Sequence, residues 1–313
     1  MHLHWGPFLL TYVTSRWLMS HPLLRSVWRI AEVEVTQKVA FVHGIGDHSQ
    51  GYSSDWRTGF NRFLLLSDDD YVEVVWESVF EKTPRRTRGP SSHIQPSALD
   101  LQTETAIRAE LLATLTARSS ALEVVEATEA AAGDIDPLQA TRRTRGLMDW
   151  LLNPEEYLGD FVRYLASPDV RTRVRAAFKD IVGPLAGDNP IAIISHSWGT
   201  VIAYESLIDL VQEQPNLKVR SFVTLGSPLW LVRHLLEHRS GGKPANVDQW
   251  MNITARGDRV GGWLEPDFEV DKDLVVPSVR GIGPHSSYFV PENVTVQGDL
   301  IASLVLGRFA IAS

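Results

Sequence analysis

From Gln37 onward, short runs of β-branched and apolar residues alternate with longer stretches at helical spacing, and this alternation constrains the fold more than any other feature. The runs are Lys38–Val42, Tyr71–Trp76, Ile191–Ser195, Val219–Leu225 and Trp250–Thr254. Between them, Trp56, Phe60, Phe63 and Leu64 recur on one helical face, as do Val201, Ile202, Leu207, Ile208 and Val211 on another. A last helix is expected over Leu300–Phe309. Such a chain forms an α/β fold, a mostly parallel central sheet flanked by helices. The rhythm breaks once, between Glu77 and Asn189, far beyond the dozen or so residues a crossover needs. That span opens with a Pro-, Arg- and Ser-rich loop, Lys82–Pro96. Ser97 and Asp100 then resemble a helix start ahead of Ile107, Leu111, Leu112 and Leu115. Asn153-Pro154-Glu155-Glu156 is a second start, ahead of Tyr157, Leu158, Phe161, Val162 and Leu165. Residues 82–146 therefore read as a helical insertion before the strand at Ile191, and Asn153–Leu185 as the helices returning the chain to the sheet.

Composition sets the outer limits. With 313 residues and 44% hydrophobic content the chain can bury one large core. Residues 37–313 read as one decorated domain and residues 1–36 as an N-terminal helical arm. A net charge of -8 opposes a nucleic-acid partner. The absence of cysteine excludes disulfides, thiolate metal sites and a thiol nucleophile. Within residues 1–24, Trp5, Phe8, Leu9, Leu10, Tyr12, Val13, Trp17, Leu18 and Met19 are interrupted by Arg16. No basic residue precedes this stretch and no small-residue cleavage site follows, so it reads as neither signal peptide nor transmembrane span, and a cytoplasmic location is expected. A helix packed on the body or on a second copy is the plain reading; an interfacial segment laying its tryptophans on lipid is the sharper one. Asn252-Ile253-Thr254 and Asn293-Val294-Thr295 match the glycosylation pattern, which is too short to carry weight.

The stretch Ile191-Ala192-Ile193-Ile194-Ser195-His196-Ser197-Trp198-Gly199-Thr200 runs a buried strand into a helix through a turn with Ser197 at its apex. A turn this sharp strains its apical residue and demands small neighbours two before and two after it, places filled by Ser195 and Gly199. The apical hydroxyl is then presented at the carboxyl end of the sheet, where open α/β folds bind ligands.

Here the chain resembles the α/β-hydrolase superfamily, whose nucleophile elbow is written Gly-x-Ser-x-Gly; Ser195 stands in place of the first glycine. His43-Gly44-Ile45-Gly46 after the first strand, Leu225-Gly226-Ser227-Pro228-Leu229 after the strand at Val219, and Asn153–Leu165 are similar to the esterase and lipase branch. The resemblance runs in order from Lys38 to the C-terminus, more weakly over Lys82–Gly146. It implies an α/β-hydrolase fold, Ser197 as nucleophile, and backbone N–H groups of Ile45 and Trp198 as an oxyanion hole. It also implies the order serine, acid, histidine. After Ser197 only His234, His238 and His285 remain; the first two fit the solvated face of a helix over Trp230–His238, which leaves His285 in the loop Gly281–Tyr288. Asp258, in the exit loop of the strand Gln249–Ala255, is the candidate acid, with Asp267, Asp271 and Asp273 in a later loop as alternatives and Asp248 at the wrong strand end.

These residues point to a serine hydrolase that cleaves carboxylic esters through an acyl-enzyme, without cofactor or metal. His43, Asp47 and His48 do not form a ligand pattern. Trp198, Trp230, Leu231, Trp263 and Leu264 are candidates for an apolar acyl pocket, with a place in the core as the plainer reading, and the insertion for a cap that limits acyl length. A small-molecule or lipid ester is the expected substrate. A lipase or phospholipase using residues 1–24 at a lipid surface, and a non-catalytic binding module of the same fold, are the competing readings.

Overall fold

The computed structural model describes residues 38–44, 51–64, 66–76, 79–80, 98–131, 154–187, 189–279 and 282–305. The chain divides into Met1–Thr36 and Gln37–Ser313, and every described residue belongs to the second unit. The expected arm, Ile45, Asp47, His48, the Lys82–Pro96 loop, the caps at Ser97 and Asn153, and the end of the last helix lie outside the described residues.

Six parallel strands form the sheet: β1 (Val39–Val42), β2 (Tyr71–Val74), β3 (Ile191–His196), β4 (Val219–Leu225), β5 (Val247–Ala255) and β6 (Lys272–Val276), in the order β2-β1-β3-β4-β5-β6. The chain steps outward from β1 to β2, then returns past β1 to β3 and proceeds the other way. Val39 pairs with both Tyr71 and Ala192, so β1 and β3 lie side by side where the order reverses. That reversal is where an open α/β sheet leaves a crevice at its carboxyl edge.

Both faces of the sheet are covered, which explains why its strands read as continuous apolar runs. Along β1, Ala40 and Val42 join one core cluster while Val39 and Phe41 join the other; along β3, Ile191 and Ile193 part from Ala192 and Ile194 in the same way. The first face is covered by α2 (Ala98–Ala131), α3 (Pro154–Ala166), α4 (Pro168–Val182) and α5 (Gly199–Glu213), through residues such as Leu111, Leu115, Phe161, Phe178 and Tyr204. The second is covered by α1 (Ser54–Leu64), through Phe60, and by the C-terminal segment, through Val296 and Ile301. In α2, the buried Ile107, Leu111 and Leu115 recur every fourth residue, placing one stripe of a 34-residue helix on the core.

The structure departs from the sequence reading in three places. Lys272–Val276 is an edge strand, so Asp273 lies in a strand rather than a loop. The helix expected over Trp230–His238 is only Leu229–Val232 followed by a 3-10 turn, Arg233–Leu235, and His238 falls beyond it. The final helix begins as a π-helix at Thr295, ahead of Leu300. Its Gln297 is buried and donates to Val290 O at 2.7 Å, tying the early turn to the preceding loop. Among the described residues no helix is long and apolar enough to cross a membrane.

Candidate active site

The turn between β3 and α5 holds Ser197 at φ 54, and Ser197 is the one non-glycine residue with positive φ among those described. A side chain in this region costs about 1 to 2 kcal/mol, so the conformation persists only because its surroundings enforce it. The Ser197 N–H donates to Leu225 O at 2.9 Å, and the Thr200 hydroxyl donates to Ser197 O at 2.7 Å. Gly199 is required by contact, since a Cβ there would lie 2.1 Å from His43 O. Gly44 is required likewise, because its Cβ would lie 2.7 Å from that of Ser197. The exits of β1 and β3 are thus packed against each other at the reversal point. Ser195 fills its place as more than a small residue: its buried hydroxyl donates to Val223 O on β4 at 2.9 Å.

Three elements converge on the Ser197 hydroxyl. The His285 Nε2 atom lies 2.9 Å from Ser197 Oγ, and His285 Nδ1 lies 3.0 Å from both carboxylate oxygens of Asp258. His285 stands in a 3-10 turn, Pro284–Ser286, rather than in an irregular loop. An anionic Asp258 has no proton to give, so Nδ1–H donates to it and the Nε2 lone pair faces the serine O–H. Asp258 follows β5, and its side chain is fully buried. Its Oδ1 accepts the N–H groups of Val260 and Gly261 at 2.9 Å each, and its Oδ2 accepts the Tyr288 hydroxyl at 2.6 Å. Burial pushes its pKa upward, but the His285 charge, together with hydrogen bonds from His285, Tyr288 and Gly261, outweighs burial and holds the carboxyl well below the usual range. Gly226, at φ 58, passes beneath the pair; a Cβ there would lie 2.8 Å from Asp258 Oδ2 and 3.0 Å from the His285 ring.

The alternative acids have other partners. Asp273 accepts the Asn252 amide at 2.7 Å and the Leu264 N–H at 2.5 Å, Asp271 pairs with Lys243 at 2.9 Å, and Asp267 pairs with Arg233 at 2.6 Å. Asp248 is exposed on β5, and Lys243 bonds its carbonyl. His234 lies 2.6 Å from Glu110, and His238 lies 3.0 Å from Asp209. Trp198 follows Ser197 directly and is the N-cap of α5, while its buried ring stacks on Phe161 at 3.7 Å. Leu231 and Leu264 are core residues. Trp230 is half-buried and donates to Val260 O at 2.8 Å, and Trp263 is 55% exposed. Trp198, Leu231 and Leu264, named as candidates for an acyl pocket or for the core, are buried in the first core cluster. Among the described residues no three His, Asp or Glu side chains form a metal donor set.

Two neighbours of the triad escaped the sequence reading. Tyr288 lies three positions after His285, a spacing that puts it on the same side of a tight turn. His196, inside the elbow itself, donates from Nε2 to the His285 carbonyl at 2.8 Å, and its ring lies 4.7 Å from that of His285.

No protein-family model matches the chain, and no curated protein matches it. Among solved structures it is similar to an uncharacterized protein from Pseudomonas aeruginosa, at 10% identity over 87% of this chain and 46% of that one, with a TM-score of 0.33.

Proposed function

We propose that the chain is a serine hydrolase of α/β-hydrolase fold that cleaves carboxylic esters through an acyl-enzyme. The observation that carries this reading is the relay Asp258, His285, Ser197, with the serine held at positive φ and its Oγ 2.9 Å from a histidine nitrogen. A serine hydroxyl becomes nucleophilic when a base within hydrogen-bond reach takes its proton as it attacks. Ser197 Oγ adds to the acyl carbon while His285 Nε2 accepts the hydroxyl proton, and Asp258 keeps Nδ1 protonated and faces the imidazolium that forms. As the tetrahedral intermediate collapses, His285 returns that proton to the leaving alkoxide. Water then adds to the acyl-enzyme, giving its proton to His285, and Ser197 recovers a proton as the acid departs.

The developing oxyanion falls at the N-terminal turn of α5, where the Trp198 N–H and the helix dipole favour negative charge. The resemblance gives the second donor to Ile45. Buried Asp258 supports the reading because a carboxylate held far below its ordinary titration range remains an anion throughout turnover. An ester substrate is the best match, since the triad acts on the acyl group and an alkoxide leaves readily. The decisive experiment is labelling with a fluorophosphonate followed by peptide mapping. Modification of Ser197 in the folded wild type, absent in Ser197→Ala, is expected; a folded but inert wild type would sink the proposal.

A further inference from the structure

The long helix α2 reaches the acid loop through Arg118. Its guanidinium Nη2 donates to Gly261 O at 2.5 Å and its plane lies over the Trp230 ring, 4.2 Å from the centroid. Gly261 is also the residue whose N–H donates to Asp258 Oδ1 at 2.9 Å. Trp230, beneath the guanidinium, donates to Val260 O at 2.8 Å, so Arg118 and Trp230 hold successive carbonyls of one loop. The contact is returned by Arg259, whose Nη1 donates to Ser119 O at 3.1 Å. The other supports of this loop come from the body of the sheet: Asn252 and Thr254 donate to Gly262 O at 2.9 and 3.1 Å, and Gly262 N–H donates to Ser227 O at 3.2 Å. Arg118 brings a cation from α2 to Gly261, and that cation feels the Asp258 charge: burial lowers the Arg118 pKa while Asp258 raises it.

We propose that Arg118 is a positioning residue for Asp258. By holding Gly261 O while stacked on Trp230, it fixes the loop whose N–H groups aim the carboxylate at His285. Docking of α2 and competence of the acid are then a single event. The inference rests on the serine-hydrolase reading of the site. Only arginine can do both jobs, since its flat guanidinium stacks on an indole while an edge N–H donates in plane; a lysine ammonium gives a charge without the fork.

The test is a double-mutant cycle with Asp258→Asn, read as kcat and KM on a chromogenic short-chain ester and as the rate of fluorophosphonate labelling of the full chain. Arg118→Met is expected to lower kcat about 10- to 100-fold with KM changed less than about threefold. In the Asp258→Asn background, where no carboxylate remains to be aimed, the same substitution should cost about twofold or less. Arg118→Lys should fall between wild type and Arg118→Met. Equal losses in both backgrounds, or a loss confined to KM, would overturn the inference, because a purely structural or substrate-binding role predicts those patterns. Should the methionine variant fail to fold by circular dichroism, Arg118→Lys carries the same comparison at smaller amplitude. An unlabelled, folded wild type would instead bring down the hydrolase reading and this inference with it; a labelled wild type with uncoupled Arg118 removes the inference alone.

Discussion

The Tyr288 hydroxyl donates to Asp258 Oδ2 at 2.6 Å while accepting the Ala255 N–H at 2.8 Å, so one phenol links the acid to the end of β5. Burial and the Asp258 charge push the Tyr288 pKa well above its ordinary value, which keeps the hydroxyl a donor. Tyr288→Phe leaves the buried carboxylate short of one partner and Ala255 N–H without its acceptor. The expected result is a loss of about 1 to 3 kcal/mol in urea-unfolding free energy and a fall in kcat, with Ser197 still labelled by a fluorophosphonate. Unchanged stability would show that water replaces the phenol at no cost.

Glycine 44 can be tested by adding one methyl group. In Gly44→Ala the new Cβ would sit 2.7 Å from Ser197 Cβ, closer than carbon atoms pack, so the proposed nucleophile is displaced or the loop shifts. Ester turnover is expected to fall at least tenfold with a stability cost of about 1 to 3 kcal/mol. Gly51→Ala is the control for space, because nothing lies within 4 Å of its Cβ.

Strain at Ser197 gives a prediction separate from catalysis. Ser197→Ala and Ser197→Gly both remove the proposed nucleophile, and neither should turn over an ester. The glycine variant relieves φ 54, so it should be the more stable of the two by about 1 kcal/mol in denaturant unfolding.

Ser195→Gly would restore the glycine expected at the start of the elbow while deleting the bond to Val223 O. The variant should keep turnover near the wild-type level and lose about 1 kcal/mol of stability, since the lost group is a buried hydroxyl partner and not a reacting atom.

Acid acts on the site in two ways. The Asp258 carboxyl titrates well below its ordinary range in the folded chain but near about pH 4 in the unfolded one. Above that pH both states are ionised and the full stabilisation is present. As pH falls toward the folded value, the unfolded chain binds a proton that the native state refuses, and the advantage is lost. The stability gap between wild type and Asp258→Asn should therefore narrow as pH is lowered from about 5 to about 3. For ester turnover, general-base catalysis predicts a single-proton acid limb in kcat/KM.

Much of this architecture can be read from residue order alone. The elbow is legible because its geometry forces small residues at Ser195 and Gly199 around the Ser197 apex, and Asp258 stands out because it follows a buried strand with glycines after it. The edge strand Lys272–Val276 is not, since it is short, starts with Lys-Asp and pairs on one side only. Pocket and core cannot be told apart from sequence at Trp198 and Leu264, because a buried packing residue and a pocket wall leave the same apolar signature. Arg118 carries no local signal, because its partner Gly261 is 143 positions away and the periodicity of α2 records only the apolar stripe.

The pairing of β1 with β3 also has a kinetic meaning. Ser197 and His285 are 88 positions apart, and the elbow packs against His43 and Gly44, just after a strand laid down far earlier in the chain. No fragment lacking that pairing can hold the serine at its working angle, however helical it is. During refolding, the proposed reactivity of Ser197 toward a fluorophosphonate should return only after the bulk of the helical signal, as a late reporter of native sheet assembly.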